Sequence, residues 1–225
     1  MTTFYLADTG ESLDINICQL VIAGWAGRVQ AAIDEHIEEL KAIGVTPPSE
    51  TPLFYRVAAN QLTTAPTIQV LGDQTSGEVE VVLIGSDRGT LVGIGSDHTD
   101  REAEAWSVAH SKQVCAKPVG TQVWRLEQVI DHWDTLQMAS YATVDGKEEL
   151  YQQGPVTGLL HPAELLRRFG LDKPELAPGQ AMLCGTLPVI GELRPADAFR
   201  MVLKDPATGL ELQHQYAIQT LPVIA

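Results

Sequence analysis

Cysteine is scarce in this chain. Cys18, Cys115 and Cys184 are widely separated, odd in number, and form no C-x-x-C pair. That excludes a disulfide framework and argues against a structural zinc site, so they read as small buried hydrophobes. Basic residues are also few, 15 Lys and Arg against 29 Asp and Glu, for a formal charge of −14. Such a surface repels phosphate backbones, and no nucleic-acid partner is expected. No apolar run approaches the roughly 18 residues that span a bilayer. The opening stretch MTTFYLADTGESLDI lacks the basic and apolar zones of a signal peptide. The expectation is a cytoplasmic protein with no membrane partner. Neither G-x-G-x-x-G nor G-x-S-x-G occurs, which removes the dinucleotide loop and the nucleophile elbow.

What is present fits one globular domain over residues 1–225, with 44% apolar and 20% charged residues. A hairpin is expected over about 1–24, with TFYLA and LDINICQLVIAG as strands. A helix follows over 26–43, where Val29, Ile33, Leu40 and Ile43 lie near one face and Gly44 stops it. Strands are expected at 53–58, 66–71, 77–85 and 90–96, the last two joined by a Ser-Asp-Arg-Gly turn. A polar segment after Asp97 reads as helical. Asp145-Gly146 marks a hairpin, and Pro162 opens a short helix. A strand leads to Gly185-Thr186, and a hairpin around 205–209 closes the pattern. Many strands in irregular order predict a β-rich α+β fold, not a βαβ repeat.

Four groups of residues could carry chemistry. Glu78 and Glu80 are two apart in a Val-rich strand, so their carboxylates share a face about 7 Å apart. They repel unless a cation lies between them; the alternative is that both face solvent. Asp97 follows Gly93 and Gly95, which let the backbone bend, and could supply a third oxygen ligand. Three carboxylates suit Mg²⁺ or Mn²⁺. Its alternative is capping the following helix, with Asp100 and Glu102 competing for both roles. His36 and Glu39 are neighbours at i, i+3 on a helix, where a carboxylate raises the basicity of an imidazole and suits it to water activation; the alternative is an exposed pair on an amphipathic helix. Lys112, if partly buried, could stabilise an anion on a substrate; the alternative is a solvated surface lysine. The remaining histidines show no metal-ligand spacing and read as surface or satisfied core residues.

The order of these residues resembles the fumarylacetoacetate hydrolase superfamily, especially its short acylpyruvate-hydrolase-like members. That order is an early H-x-x-E helix, a P-x-x-F-x-K-like segment, an E-x-E strand and a D-x-[ST]-x-R-[DE] segment. A lysine segment ending near Cys-Pro, a hairpin with a Gln and a G-T-P turn follow. Here the counterparts are His36 and Glu39, then Pro52 to Arg56, then Glu78 and Glu80. Asp97, Thr99, Arg101 and Glu102 come next, followed by Lys112, Gln153 and Gly185-Thr186-Leu187-Pro188. The likeness covers about residues 18–204. Arg56 stands where Lys is usual, Gln follows Lys112, and the link from Glu80 to Asp97 is short, as in a divergent branch. The resemblance implies a mixed β-roll, a homodimer, and Mg²⁺ or Mn²⁺ held by Glu78, Glu80 and Asp97. It implies a small 2-oxo acid substrate and hydrolysis of a C–C bond through an enolate stabilised by the metal. His36 and Glu39 would activate water, Lys112 would stabilise developing charge, and Arg56, Gln153 and Thr186 would contact substrate. A 2-oxo acid hydratase, decarboxylase or tautomerase, or a non-catalytic ligand-binding relative, would share this pattern.

Overall fold

The computed structural model describes residues 1–42, 47–173 and 175–224, with the backbone alone described at positions 36, 39, 40 and 42. The Val-rich stretch forms the strand Val79–Ser86, and a two-residue turn at Asp87-Arg88 returns the chain as Gly89–Ser96. Gly89 takes φ +88° there, and Ser86 Oγ donates to Gly89 O at 2.7 Å. Side chains of the first strand alternate between two apolar clusters: Val79, Val81 and Leu83 enter one, Val82 and Ile84 the other. Burial on both faces explains a continuous apolar run instead of an alternating one.

This hairpin lies in an eight-stranded sheet ordered Ser12–Ile15, Thr2–Leu6, Gln122–Arg125, Gly89–Ser96, Val79–Ser86, Gln180–Thr186, Gln19–Gly24, Leu53–Val57. Thr2–Leu6 runs parallel to Gln122–Arg125, and Gln180–Thr186 parallel to Gln19–Gly24; the other pairs are antiparallel. A five-stranded sheet follows the order Lys147–Pro155, Gln137–Val144, Ala198–Asp205, Leu210–Leu221, Thr67–Leu71. The larger cluster joins both sheets through Val81, Leu83, Ile94, Met138, Phe199 and Leu203. The smaller one, with Phe4, Leu20, Ile22, Val82 and Val123, fills the opposite face of the eight-stranded sheet. The result is the strand-dominated mixed α+β roll that the element pattern predicts.

Four local expectations differ. The N-terminal hairpin comprises Thr2–Leu6 and Ser12–Ile15 only. Gln19–Gly24 joins the far side of the sheet, because Cys18 N and Gln19 N donate to Gly179 O and align it with Gln180–Thr186. The helix predicted over 26–43 starts at Gln30 and is described to Ala42. Backbone pairing holds the residues before it: Leu160 N donates to Ala26 O and Arg28 N to Gly158 O. Val29, placed by periodicity on the apolar face, is exposed, while Ile33 is buried. Ile43 and Gly44 lie outside the described residues. The helical segment after Asp97 breaks into Arg101–Glu104 and Val108–Val114, the second started by Ser107 as its cap. Cys115 and Cys184 are buried as expected, whereas Cys18 is exposed. No helix among the described residues is long and apolar enough to cross a membrane.

Gly95 has a packing role. A Cβ there would stand 2.7 Å from Val82 Cγ2 and 2.9 Å from Pro118 O. Its bareness lets the chain at Val119 bridge onto it and seats the adjoining strand Lys117–Pro118 close by. Gly95→Ala is expected to destabilise the fold by about 1–3 kcal/mol. Thermal denaturation should then show a midpoint lowered by several degrees; an unchanged midpoint would refute the close approach.

Candidate metal centre

The hairpin register assembles the acids. Val79 pairs with Ser96 and Glu80 with Gly95, so the next rung outward sets Glu78 against Asp97, whose N donates to Glu78 O at 3.0 Å. One carboxylate oxygen from each of Glu78, Glu80 and Asp97 lies within 4.8 Å of the others. Glu80 is 2% exposed and Asp97 0%, so neither faces solvent. Helix capping falls instead to Asp100, whose Oδ1 accepts from Ala103 N at 2.9 Å.

Three cations surround the three acids. Lys112, buried on Val108–Val114, donates to Asp97 Oδ2 and stands 4.0 Å from Glu78 Oε2. Lys117 is 0% exposed. Its Nζ donates to His98 O at 2.6 Å and Cys115 O at 3.0 Å, and lies 3.2 Å from Asp97 Oδ1. That approach falls outside hydrogen-bonding geometry, and Oδ1 keeps no hydrogen-bond partner. Arg101 donates to Glu78 Oε1 at 2.9 Å, Ser76 Oγ at 2.7 Å and Glu104 Oε2 at 2.8 Å.

Burial and the neighbouring Asp97 carboxylate push Glu80 well above the usual carboxylate range, with Lys112 pulling the other way. Burial would also raise Asp97, but Lys112 and Lys117 outweigh it and hold it low. Burial would lower Lys112, yet the Asp97 and Glu78 carboxylates raise its ammonium overall. For Lys117 burial prevails and the shift is downward. A group of converging carboxylates that strains the protonation of one member is what a divalent cation relieves.

A polar scaffold fixes the acid-bearing backbone. Glu78 N donates to Ser96 Oγ at 3.1 Å, and Tyr216 Oη donates to the same oxygen at 3.0 Å. His98 bridges Tyr216 Oη and Thr75 Oγ1, each at 3.0 Å. Burial, then Lys117 and Arg101, lower this imidazole to about 3, so it is a neutral, satisfied core histidine. On the other side, a bulge between Leu183 and Thr186 re-aims Gly185, at φ +98°, so that its N–H donates to Glu80 Oε2 at 2.7 Å. Few residues other than glycine hold that φ without strain.

The structure brings Lys112 and Thr186 to this end of the hairpin. Thr186 pairs with Glu80, and its Oγ1 donates to Val79 O at 2.8 Å. Arg56 and Gln153 are not brought to it; both are exposed. Strand alternation gives the reason. On Leu53–Val57 the residue turned toward Lys112 is Tyr55, with Lys112 Nζ 5.8 Å above its ring and Trp25 Nε1 donating to its hydroxyl at 3.3 Å. On Lys147–Pro155 the inward residue is Gln152. It accepts from Val79 N and Ser140 Oγ, each at 2.9 Å, and donates to Thr186 Oγ1 at 2.9 Å and Leu187 O at 2.6 Å. His36 and Glu39 fall on Gln30–Ala42, but their side chains lie outside the described residues. Sequence reasoning missed Lys117, Tyr55 and Gln152. A lysine inside the apolar stretch VCAKPVG was the available signal for the first of them.

The fold is that of the fumarylacetoacetate hydrolase proteins. Solved structures sharing it include a protein described as a fumarylacetoacetate isomerase/hydrolase from Oleispira antarctica, 19% identical, TM-score 0.69, covering 97% of this chain and 100% of that one. Another, described as a fumarylpyruvate hydrolase from Burkholderia cenocepacia, is 15% identical with TM-score 0.59, covering 98% and 96%. A 2-keto-3-deoxy-D-arabinonate dehydratase complexed with magnesium and 2,5-dioxopentanoate is 15% identical with TM-score 0.63, covering 92% and 75%. At these identities the likeness is one of fold. By sequence the chain belongs to the family described as protein of unknown function (DUF2848), matched over residues 23–216. No curated protein matched.

The two adjacent glutamines differ sharply in surroundings, and their variants should differ too. Gln152→Leu leaves Val79 N and Leu187 O without their partner and is expected to cost about 2–4 kcal/mol in urea denaturation. Gln153→Ala, on the outward face, should stay within about 0.5 kcal/mol. Equal losses would contradict the strand's phase.

Proposed function

We propose that the chain is a divalent-metal-dependent enzyme that hydrolyses a C–C bond in a small, acylpyruvate-like 2-oxo acid. The observation that carries this reading is the convergence of Glu78, Glu80 and Asp97 within 4.8 Å, largely out of water. The donor set fits the ion. Three carboxylates are hard oxygen ligands suited to Mg²⁺ or Mn²⁺, and Asp97 Oδ1 is buried without a hydrogen bond. A divalent ion bound there would act as a Lewis acid toward the carboxylate and oxo oxygens of a 2-oxo acid.

The chain's own residues supply the rest. Lys112 offers a buried ammonium to negative charge developing on the substrate. His36, oriented by Glu39, takes the proton from water attacking the distal carbonyl, a role that rests on the sequence resemblance. The water oxygen joins the acyl carbon, the C–C bond breaks, and its electron pair is protonated at the former methylene, leaving a carboxylic acid and a pyruvate-type product. Thr186, beside Glu80, is assigned to substrate contact; Arg56 and Gln153, on outward faces, are not. A homodimer and a cytoplasmic location belong to the same proposal.

A second reading keeps the site and changes the reaction to that of a 2-oxo acid lyase, hydratase, decarboxylase or tautomerase. A relative of this fold that is a dehydratase, seen with magnesium and 2,5-dioxopentanoate, supports it.

Purified protein should turn over a member of a panel of 2,4-dioxo acids and unsaturated 2-oxo acids only with Mg²⁺ or Mn²⁺, and lose activity in chelator. Glu80→Gln and Asp97→Asn should each lower kcat/KM by roughly 10²-fold or more. If His36→Ala leaves turnover intact while Glu80→Gln abolishes it, decarboxylation or tautomerisation replaces hydrolysis, since hydration also needs an activated water. Metal binding with no turnover and no metal-dependent binding of oxalate would leave a non-catalytic binder and reject both enzymatic readings.

A further inference from the structure

We infer that Lys117 is a built-in counterion of the acid cluster, standing in for part of the charge of a divalent ion and holding the three carboxylates together when no ion is bound. This rests on reading Glu78, Glu80 and Asp97 as a cation site.

Lysine is almost never fully buried unless paired, and Lys117 is 0% exposed. Its ammonium faces one carboxylate, Asp97, at 3.2 Å from Oδ1, while Lys112 holds Oδ2 of the same group. With no solvent exposure, Lys117 does not reach a substrate, and the proposed chemistry makes no use of it. The charges show what it adds. Fully ionised, Glu78, Glu80 and Asp97 would carry three negative charges; Lys112 and Arg101 supply two positive ones, and Arg101 is shared with Glu104. Lys117 supplies the third. The fold also makes room for it, since a Cβ on Gly95 would collide with Pro118 O, the residue next to Lys117.

A purely structural role, in which Nζ ties His98 O to Cys115 O, predicts something different. Pinning two carbonyls matters equally with and without an ion, whereas a counterion matters most when the ion is gone. The test is the melting temperature of wild type and Lys117→Met, each in chelator and in excess Mn²⁺, with Mn²⁺ affinity measured by calorimetry. The counterion role predicts a loss of more than about 5 °C for the variant in chelator, at least half of it regained with Mn²⁺. It also predicts Mn²⁺ binding tighter than wild type by about 10-fold or more. An equal loss in both buffers, or no loss in either, overturns it.

Lys117→Met paired with Asp97→Asn, assayed in chelator, covers the case in which the single variant does not fold. Removing the stranded carboxylate should restore stability relative to the single variant; a double variant no more stable than the single overturns the inference. Wild type that binds no Mn²⁺ would sink the metal reading, and the chelator comparison of single and double variants would still decide the counterion.

Discussion

The Asp97 carboxylate, closed off from water between two lysines, is the interaction on which the site depends. An isolated buried charge is costly, and several buried charges are tolerated only when they are paired and their geometry is held. Here Lys112 takes one oxygen and Lys117 stands against the other. Arg101 draws in Glu78, and the Gly185 N–H holds Glu80. The surrounding fold serves that arrangement. Short helices bring Lys112 and Arg101, a bulged strand brings Gly185, and the polar chain from Thr75 through His98 and Tyr216 to Ser96 fixes the backbone beneath the acids.

Rigid packing on both faces of the central hairpin makes this possible. Val79, Val81 and Leu83 lock into one apolar cluster and Val82 and Ile84 into the other. The acids at the end of the strand therefore sit on a backbone with little freedom to relax. The groups that touch them are already held by ion pairs and hydrogen bonds, the preorganisation that electrostatic stabilisation requires.

Much of this was legible in the sequence, for identifiable reasons. Strand positions followed from apolar runs and turn residues, and the Asp145-Gly146 and 205–209 hairpins formed where those residues indicated. The meeting of residues 78 and 97 was readable too. The two-residue turn pairs Ser86 with Gly89, and stepping outward one rung at a time sets 78 against 97. What stayed hidden depended on phase or on distant contacts. Gln152 and Gln153 are chemically identical, and only the pleat of Lys147–Pro155 decides which turns inward. The same holds for Tyr55 and Arg56 on Leu53–Val57. Lys117 sits in a segment that packs against Gly95, distant in sequence, where a Cβ would collide with Pro118 O, a fact no local window contains.

The tip of the central hairpin, a full strand away from the acids, is as much a determinant of their chemistry as any ligand. Pleated chains have period two, so adding or removing a single residue at Asp87-Arg88 would slide one strand past the other by one place and send alternate side chains to the wrong face. The carboxylates would part company with no substitution among them. Lineages carrying this fold should therefore tolerate changes of residue type at that bend far better than changes of its length, and an indel there would be a sign of lost or altered chemistry even where every acidic residue persists.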